Sequence, residues 1–161
     1  MNTIEPTLKA GDTAPEFELL DQHRNTVRLS DYRGQKLLIY FYPKADTPGC
    51  TAQSCQVRDS AVDLTELHLA VIGISPDTPE EQRAFDEKFS LGFPLLADEG
   101  GGVSKAYGVW GEPFGPGWEG VIRSSFLVGE DGKLEQVWYK VAPTDTVPKA
   151  IEALVQDAEA M

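Results

Sequence analysis

The stretch Pro43-Lys44-Ala45-Asp46-Thr47-Pro48-Gly49-Cys50-Thr51-Ala52-Gln53-Ser54-Cys55 holds both cysteines of the chain, five residues apart. Thr47 suits an N-cap and Pro48 the first helical position, so Cys50 falls in the first turn of a helix. Backbone N–H groups there lack intrahelical partners and the potential is positive, which favours thiolate over thiol. That alone is insufficient. Bringing a cysteine from a pKa of ~8.5 to ~6 takes about 3.4 kcal/mol, whereas a helix terminus supplies ~0.3–1. A cation must provide much of the rest. Neither histidine suits a base, since His23 lies in a predicted hairpin turn and His68 at the far end of the helix. An arginine fits better, because it stays charged and can also donate to a leaving oxygen. Spacing does not say which of the six arginines returns to Cys50.

Cys55 sharpens the reading. On one continuous helix, residues five apart differ by ~7.5 Å of rise and ~140° of rotation, so their Cα atoms lie about 8.7 Å apart on nearly opposite faces. A disulfide tolerates at most about 7 Å. Cys50 and Cys55 therefore cannot pair while the helix is intact; if they pair, its first turns must unwind. Other fates stay open at this point. Cys50 could be a small buried hydrophobe, and the pair could bind a metal, although no second cysteine pair or well-placed histidine completes such a site. A general thiol–disulfide oxidoreductase would favour C-x-x-C over the C-x₄-C found here. A redox-responsive holdase or interaction module would use the disulfide only to change shape.

The surrounding elements alternate between strand and helix, which indicates an α/β domain. Phe17–Leu20 and Thr26–Leu29 form a predicted hairpin about a polar turn at residues 22–25. Leu37–Tyr42 is a near-continuous apolar run, read as a strand buried on both faces, and Pro43 ends it. A helix is expected from Pro48 to about Leu67, then a strand at Leu69–Ser75. Thr78-Pro79-Glu80-Glu81 opens a second helix ending near Phe89. A short strand at Phe93–Leu96 and a short helix at Gly102–Tyr107 follow. Val109–Gly120 is an aromatic loop with Trp110, Phe114 and Trp118, either core packing or a wall over the site. Val121–Val128 and Leu134–Lys140 are predicted strands joined by a turn at Glu130–Lys133, and Thr144–Glu159 is the final helix. Cys50 thus lies beyond the carboxyl end of a central strand, where open α/β sheets usually bind ligands.

Composition narrows the class of partner. The chain has 161 residues and a formal net charge of -12, which argues against nucleic acid or an anionic membrane. A chain this long buries enough surface to fold without a metal or disulfide staple. The N-terminus lacks the basic and apolar regions of a signal peptide, and the longest apolar run, Leu37–Tyr42, cannot span a bilayer. A single domain over residues 1–161 in the cytoplasm, where thiols stay reduced, is the expectation.

Pro43-x-x-x-Thr47-x-x-Cys50 resembles the peroxiredoxin signature, and Thr47-Pro48-Gly49-Cys50-Thr51-x-x-x-Cys55-x-x-Arg58-Asp59 resembles its bacterioferritin-comigratory (PrxQ) subfamily. Gly11-Asp12-x-Ala14-Pro15-x-Phe17, Gly73-Ile74-Ser75, Leu95-Leu96-x-Asp98, Tyr107-Gly108-Val109-Trp110-Gly111 and Arg123-Ser124-Ser125-Phe126-Leu127-Val128 extend the resemblance along the chain. It implies a thioredoxin-like fold with an added N-terminal β-hairpin and a central mixed sheet flanked by helices. It implies a peroxidase needing no cofactor, in which Cys50 attacks hydrogen peroxide or an organic hydroperoxide and becomes a sulfenic acid. Cys55 would then condense with it to an intramolecular disulfide, which thioredoxin or a related dithiol protein would reduce. Thr47 would hydrogen-bond thiolate and peroxide, Arg123 would supply the cation and Pro43 would shield the thiolate. Arg58, two turns beyond Cys50, reads as structural. Resolution within one chain requires no dimer, so a monomer is expected. Gln53 departs from the pattern, since many relatives carry Glu there.

Overall fold

A computed structural model describes residues 8–112, 116–117 and 119–160, with side chains through residue 155. The N-terminal hairpin forms as β1 (Glu18–Leu20) and β2 (Thr26–Arg28), with Leu19 opposite Val27. Its turn is closed by the Asp21 carboxylate, which accepts from the N–H groups of His23 and Asn25 at 2.8 and 2.9 Å. A 3₁₀ turn at Leu29–Tyr32 leads to β3 (Lys36–Phe41), of which only Lys36 is not buried.

The helix expected to run from Pro48 to about Leu67 is instead two, α1 (Pro48–Asp59) and α2 (Ala61–Glu66). The break is Ser60, whose φ of -94° and ψ of 6° interrupt the regular helical geometry. Then follow β4 (Leu69–Ser75), α3 (Pro79–Phe89), β5 (Leu95–Ala97) and α4 (Gly102–Ala106). Thr78 caps α3 through a full capping box with Glu81, as its sequence promised.

The strand expected over Val121–Val128 is also divided. Within the aromatic loop, β6 (Trp110–Gly111) pairs with β7 (Gly120–Val121), and the main sheet resumes only at β8 (Ser124–Val128). Ile122 and Arg123 form the crossover. They are fixed by bonds from Ile122 N–H to the Val109 carbonyl at 2.7 Å and from Val141 N–H to the Arg123 carbonyl at 2.9 Å. β9 (Leu134–Trp138) follows a turn in which Gly132 adopts a φ of 83°, a conformation costly for residues with a Cβ. α5 (Thr146–Ala160) ends the chain.

The main sheet has seven strands in the order β2-β1-β5-β4-β3-β8-β9. β3, β4 and β5 run parallel; β8 pairs antiparallel with β3, and β9 with β8. Alternation along β3 sorts the core into two layers. Leu37, Ile39 and Phe41 face a layer with Phe126, Tyr107 and Val109, whereas Leu38, Tyr40 and Tyr42 face one with α1, α3 and α5. Cys50 belongs to the second layer. Among the described residues, no helix is long and apolar enough to cross a membrane.

Candidate active site

The chain leaves β3 at its carboxyl end through a loop pinned from below. Asp77, buried after β4, accepts from Ala45 N–H at 2.7 Å and from the Ser75 hydroxyl at 2.6 Å. The half-buried Pro43 lies in this loop, and Asp46 takes a φ of 62° while its carboxylate meets Lys88 at 2.8 Å. Thr47 then occupies the N-cap position, and its carbonyl accepts from Thr51 N–H at 2.8 Å.

Its side chain does not complete the cap the sequence suggested. The Thr47 hydroxyl donates to the Lys44 carbonyl at 2.7 Å and makes no cap bond. Two consequences follow. The first-turn N–H groups of Gly49 and Cys50 keep no side-chain partner, and their positive end of the helix stays open to an anion. The Thr47 oxygen, having committed its proton, is left as an acceptor for the O–H of an incoming molecule.

Cys50 is fully buried, and Arg123 approaches it from the β7–β8 crossover. Nη2 of Arg123 donates to Cys50 Sγ at 3.3 Å. Nη1 donates to Gln53 Oε1 at 2.6 Å, so the guanidinium is held by two residues one helical turn apart. Gly49 makes room for it: a Cβ at that position would stand 3.0 Å from Arg123 Nη2 and 3.4 Å from Pro143 Cγ. Among the described residues, Arg123 is the arginine that reaches Cys50.

Gln53 is itself fully buried and continues the network. Its Nε2 donates to Thr146 Oγ1 at 2.7 Å, and Thr146 shares a 3.1 Å hydrogen bond with the Ser125 hydroxyl. A chain of polar contacts thus runs from Cys50 through Arg123 and Gln53 to the start of α5 and to β8. The neutral amide serves both neighbours at once, accepting from the guanidinium and donating to the threonine. The sequence marks Gln53 as a departure from the family pattern and Ser125 as part of a matching motif, without a role for either, and no signal marks Thr146 or Pro143.

Tyr40 lies beneath the helix. Its hydroxyl shares a 2.8 Å hydrogen bond with Ser54, both groups being fully buried. Burial pushes this phenol far above its ordinary range; the Ser54 bond opposes that shift, and charge on Cys50 adds to it. The hydroxyl therefore stays protonated.

Cys55 is partly buried on the same helix, and both cysteines are free. Because α1 is continuous from Pro48 to Asp59, the separation of about 8.7 Å derived for an ideal helix applies. Other candidates fall elsewhere. His23 lies near Asp86, and His68 adopts a φ of 56° between α2 and β4. Arg58 donates to the Phe89 carbonyl at 2.5 Å and to Asp59 at 2.9 Å, tying α1 to the end of α3. Trp110 packs with the first core layer and fills the space where a Gly101 Cβ would stand. Phe114 and Trp118 lie outside the described residues.

The chain is similar to known proteins in both sequence and overall fold. The AhpC/TSA family model matches residues 10–137. The peroxiredoxin Bcp of Escherichia coli strain K12 is 50% identical over 133 residues, covering 81% of this chain and 85% of that protein. A Xylella fastidiosa PrxQ variant superposes with a TM-score of 0.90 at 26% identity, over 96% of this chain and 99% of that one. The Xanthomonas campestris bacterioferritin comigratory protein, described for its alkyl peroxide reduction activity, superposes with a TM-score of 0.81. It is 25% identical, and the match covers 97% of this chain and 96% of that one. The thioredoxin-like fold expected from sequence is thereby shown.

Proposed function

The chain belongs to the AhpC/TSA family as a peroxiredoxin of the Bcp/PrxQ kind, a thiol-dependent peroxidase, and on that premise we propose how its residues divide the work. Cys50 is the peroxidatic cysteine. Its thiolate attacks one oxygen of the peroxide, the O–O bond breaks, and the other oxygen leaves as alcohol or water once protonated. Arg123 stabilises the thiolate and the charge developing on the peroxide oxygens. Thr47 accepts a hydrogen bond from the peroxide O–H, and Pro43 shields the thiolate from bulk water.

Cys55 resolves the product. Its thiolate attacks the Cys50 sulfenic sulfur, the S–S bond forms, the S–O bond breaks, and the departing hydroxide takes up a proton from solvent to leave as water. Thioredoxin or a related dithiol protein reduces the disulfide. Hydrogen peroxide and alkyl hydroperoxides are the substrates, the latter by analogy with the Xanthomonas relative. The protein acts as a monomer, one domain over residues 1–161, in the cytoplasm.

The observation carrying this reading is the Arg123 guanidinium 3.3 Å from a fully buried Cys50 at the start of a helix. Peroxide consumption with thioredoxin and its reductase tests it. Cys50→Ser should abolish turnover, since a serine hydroxyl remains protonated near neutral pH. Cys55→Ser should consume about one equivalent of peroxide and then stop, with Cys50 carrying added oxygen by mass spectrometry. Sustained thioredoxin-dependent turnover at the wild-type rate in either variant would defeat the corresponding assignment.

A further inference from the structure

Helix α1 buries four residues against the body: Cys50, Gln53, Ser54 and Val57. Of these, Ser54 has the simplest attachment, the 2.8 Å hydrogen bond to Tyr40. Tyr40 cannot follow if the helix moves. β3 is bonded to β4 on one side and β8 on the other, and the Tyr40 ring stacks on Tyr42 at 5.5 Å and leans on Phe93 at 6.2 Å. Across the sheet, a Cβ on Gly73 would come within 2.8 Å of the ring. The phenol is a fixed post, and Ser54 is the part that can leave.

Ser54 sits between the two cysteines, inside the segment that must unwind before they come within disulfide range. Unwinding therefore separates two buried hydroxyls. We infer that the Tyr40–Ser54 pair is the latch that times resolution. It sets how long the Cys50 sulfenic acid stays in its pocket, and so what share meets a second peroxide before Cys55 arrives. This rests on the assignment of Cys55 as the resolving thiol.

The two fates of the sulfenic acid compete. In one, Cys55 displaces its oxygen as water and a disulfide forms. In the other, the sulfenic sulfur attacks a second peroxide, the O–O bond breaks, and a sulfinic acid and an alcohol or water result. Tyr40 acts on this partition through Ser54, as a positioning residue. A tighter latch favours the sulfinic acid and a looser one the disulfide.

The physics of a buried hydroxyl pair supplies a test that ordinary destabilisation would fail. Removing one partner orphans the other in the closed helix and favours opening; replacing both by apolar groups is nearly neutral. Reduced full-length protein, as Tyr40→Phe, Ser54→Ala and the double variant, is pulsed with increasing hydrogen peroxide. Thiols are then blocked, and Cys50 species are counted by mass spectrometry. Each single variant should raise the peroxide concentration giving equal disulfide and sulfinic acid by roughly three- to tenfold. The double variant should return to within about twofold of wild type. Amide exchange across residues 50–57 of the reduced proteins should follow the same order, fast in the singles and slow in the double. Singles with wild-type partition, or a double variant combining the two single effects, would overturn the latch. A wild-type protein that forms no Cys50–Cys55 disulfide would instead remove the assignment of Cys55 beneath it.

Discussion

Gln53 offers the sharpest probe of how the peroxidatic centre is assembled. Gln53→Met keeps the length of the side chain but removes both bonds, to Arg123 at 2.6 Å and to Thr146 at 2.7 Å. The guanidinium then has one neighbour fewer and can withdraw toward solvent. With an effective dielectric constant of about 20, unit charges at the observed 3.3 Å attract by roughly 5 kcal/mol, falling to roughly 3.3 at about 5 Å. The difference of about 1.7 kcal/mol predicts a roughly twentyfold slower reaction of Cys50 with peroxide. Gln53→Glu is the control. A carboxylate accepts from Arg123 as well as the amide does, and Thr146 need only turn its hydroxyl to donate. The rate should then stay within a few-fold of wild type, reduced by the added negative charge near Cys50. Stopped-flow measurement of single-turnover oxidation reads these rates directly, and thermal unfolding checks that the variants are folded. A folded Gln53→Met protein reacting within twofold of wild type would refute the claim that Gln53 holds Arg123 in place.

Arg123→Met should slow peroxide reduction by about 10²–10³-fold, the usual loss of one donor to developing negative charge, measurable by the same single-turnover assay. Gly49→Ala should separate stability from activity. Alanine favours the helix by up to about 1 kcal/mol in a thermal or denaturant melt, yet its Cβ would press on Arg123 Nη2 at 3.0 Å and slow oxidation several-fold. Oxidation to the disulfide should lower the far-UV helical signal and raise amide exchange over residues 50–58, while β3 stays protected. Equal protection of α1 in both redox forms would contradict its unwinding.

Several parts of this arrangement were legible in the residues themselves. The apolar run Leu37–Tyr42, the Thr-Pro helix starts and the Gly132 turn each carry a local physical signal, and each is found where that signal put it. The failures share a cause. Ser60 has no breaker chemistry, yet it divides the expected helix, and beyond it α2 buries Leu64 in the second core layer. Arg123 sits in a stretch, Val121–Val128, that reads as one strand. It leaves the ladder because Ile122 bonds to Val109 and the Arg123 carbonyl to Val141, contacts made with distant parts of the chain. Thr146 and Ser125 likewise gain their place in the network only when α5 and β8 meet α1. Long-range polar pairing has no period and no spacing to read.

The inward face of α1 explains how one helix can both build the site and dismantle it. Had Gln53 and Ser54 been leucines, unwinding would expose two buried hydrocarbon side chains at about 1.5–3 kcal/mol each, slowing it by a factor of a hundred or more. An amide and a hydroxyl can exchange protein partners for water at far smaller net loss. The same bonds that hold the helix closed also hold Arg123 against Cys50, through Gln53. With Cys55 as the proposed resolving thiol, opening the helix to reach it would withdraw the cation's anchor from the centre that has just reacted. In that proposal, assembly for peroxide and exposure for resolution are mutually exclusive states of one helix. On that proposal the balance turns on the buried polar contacts of Gln53 and Ser54, set beside the apolar burial of Cys50 and Val57.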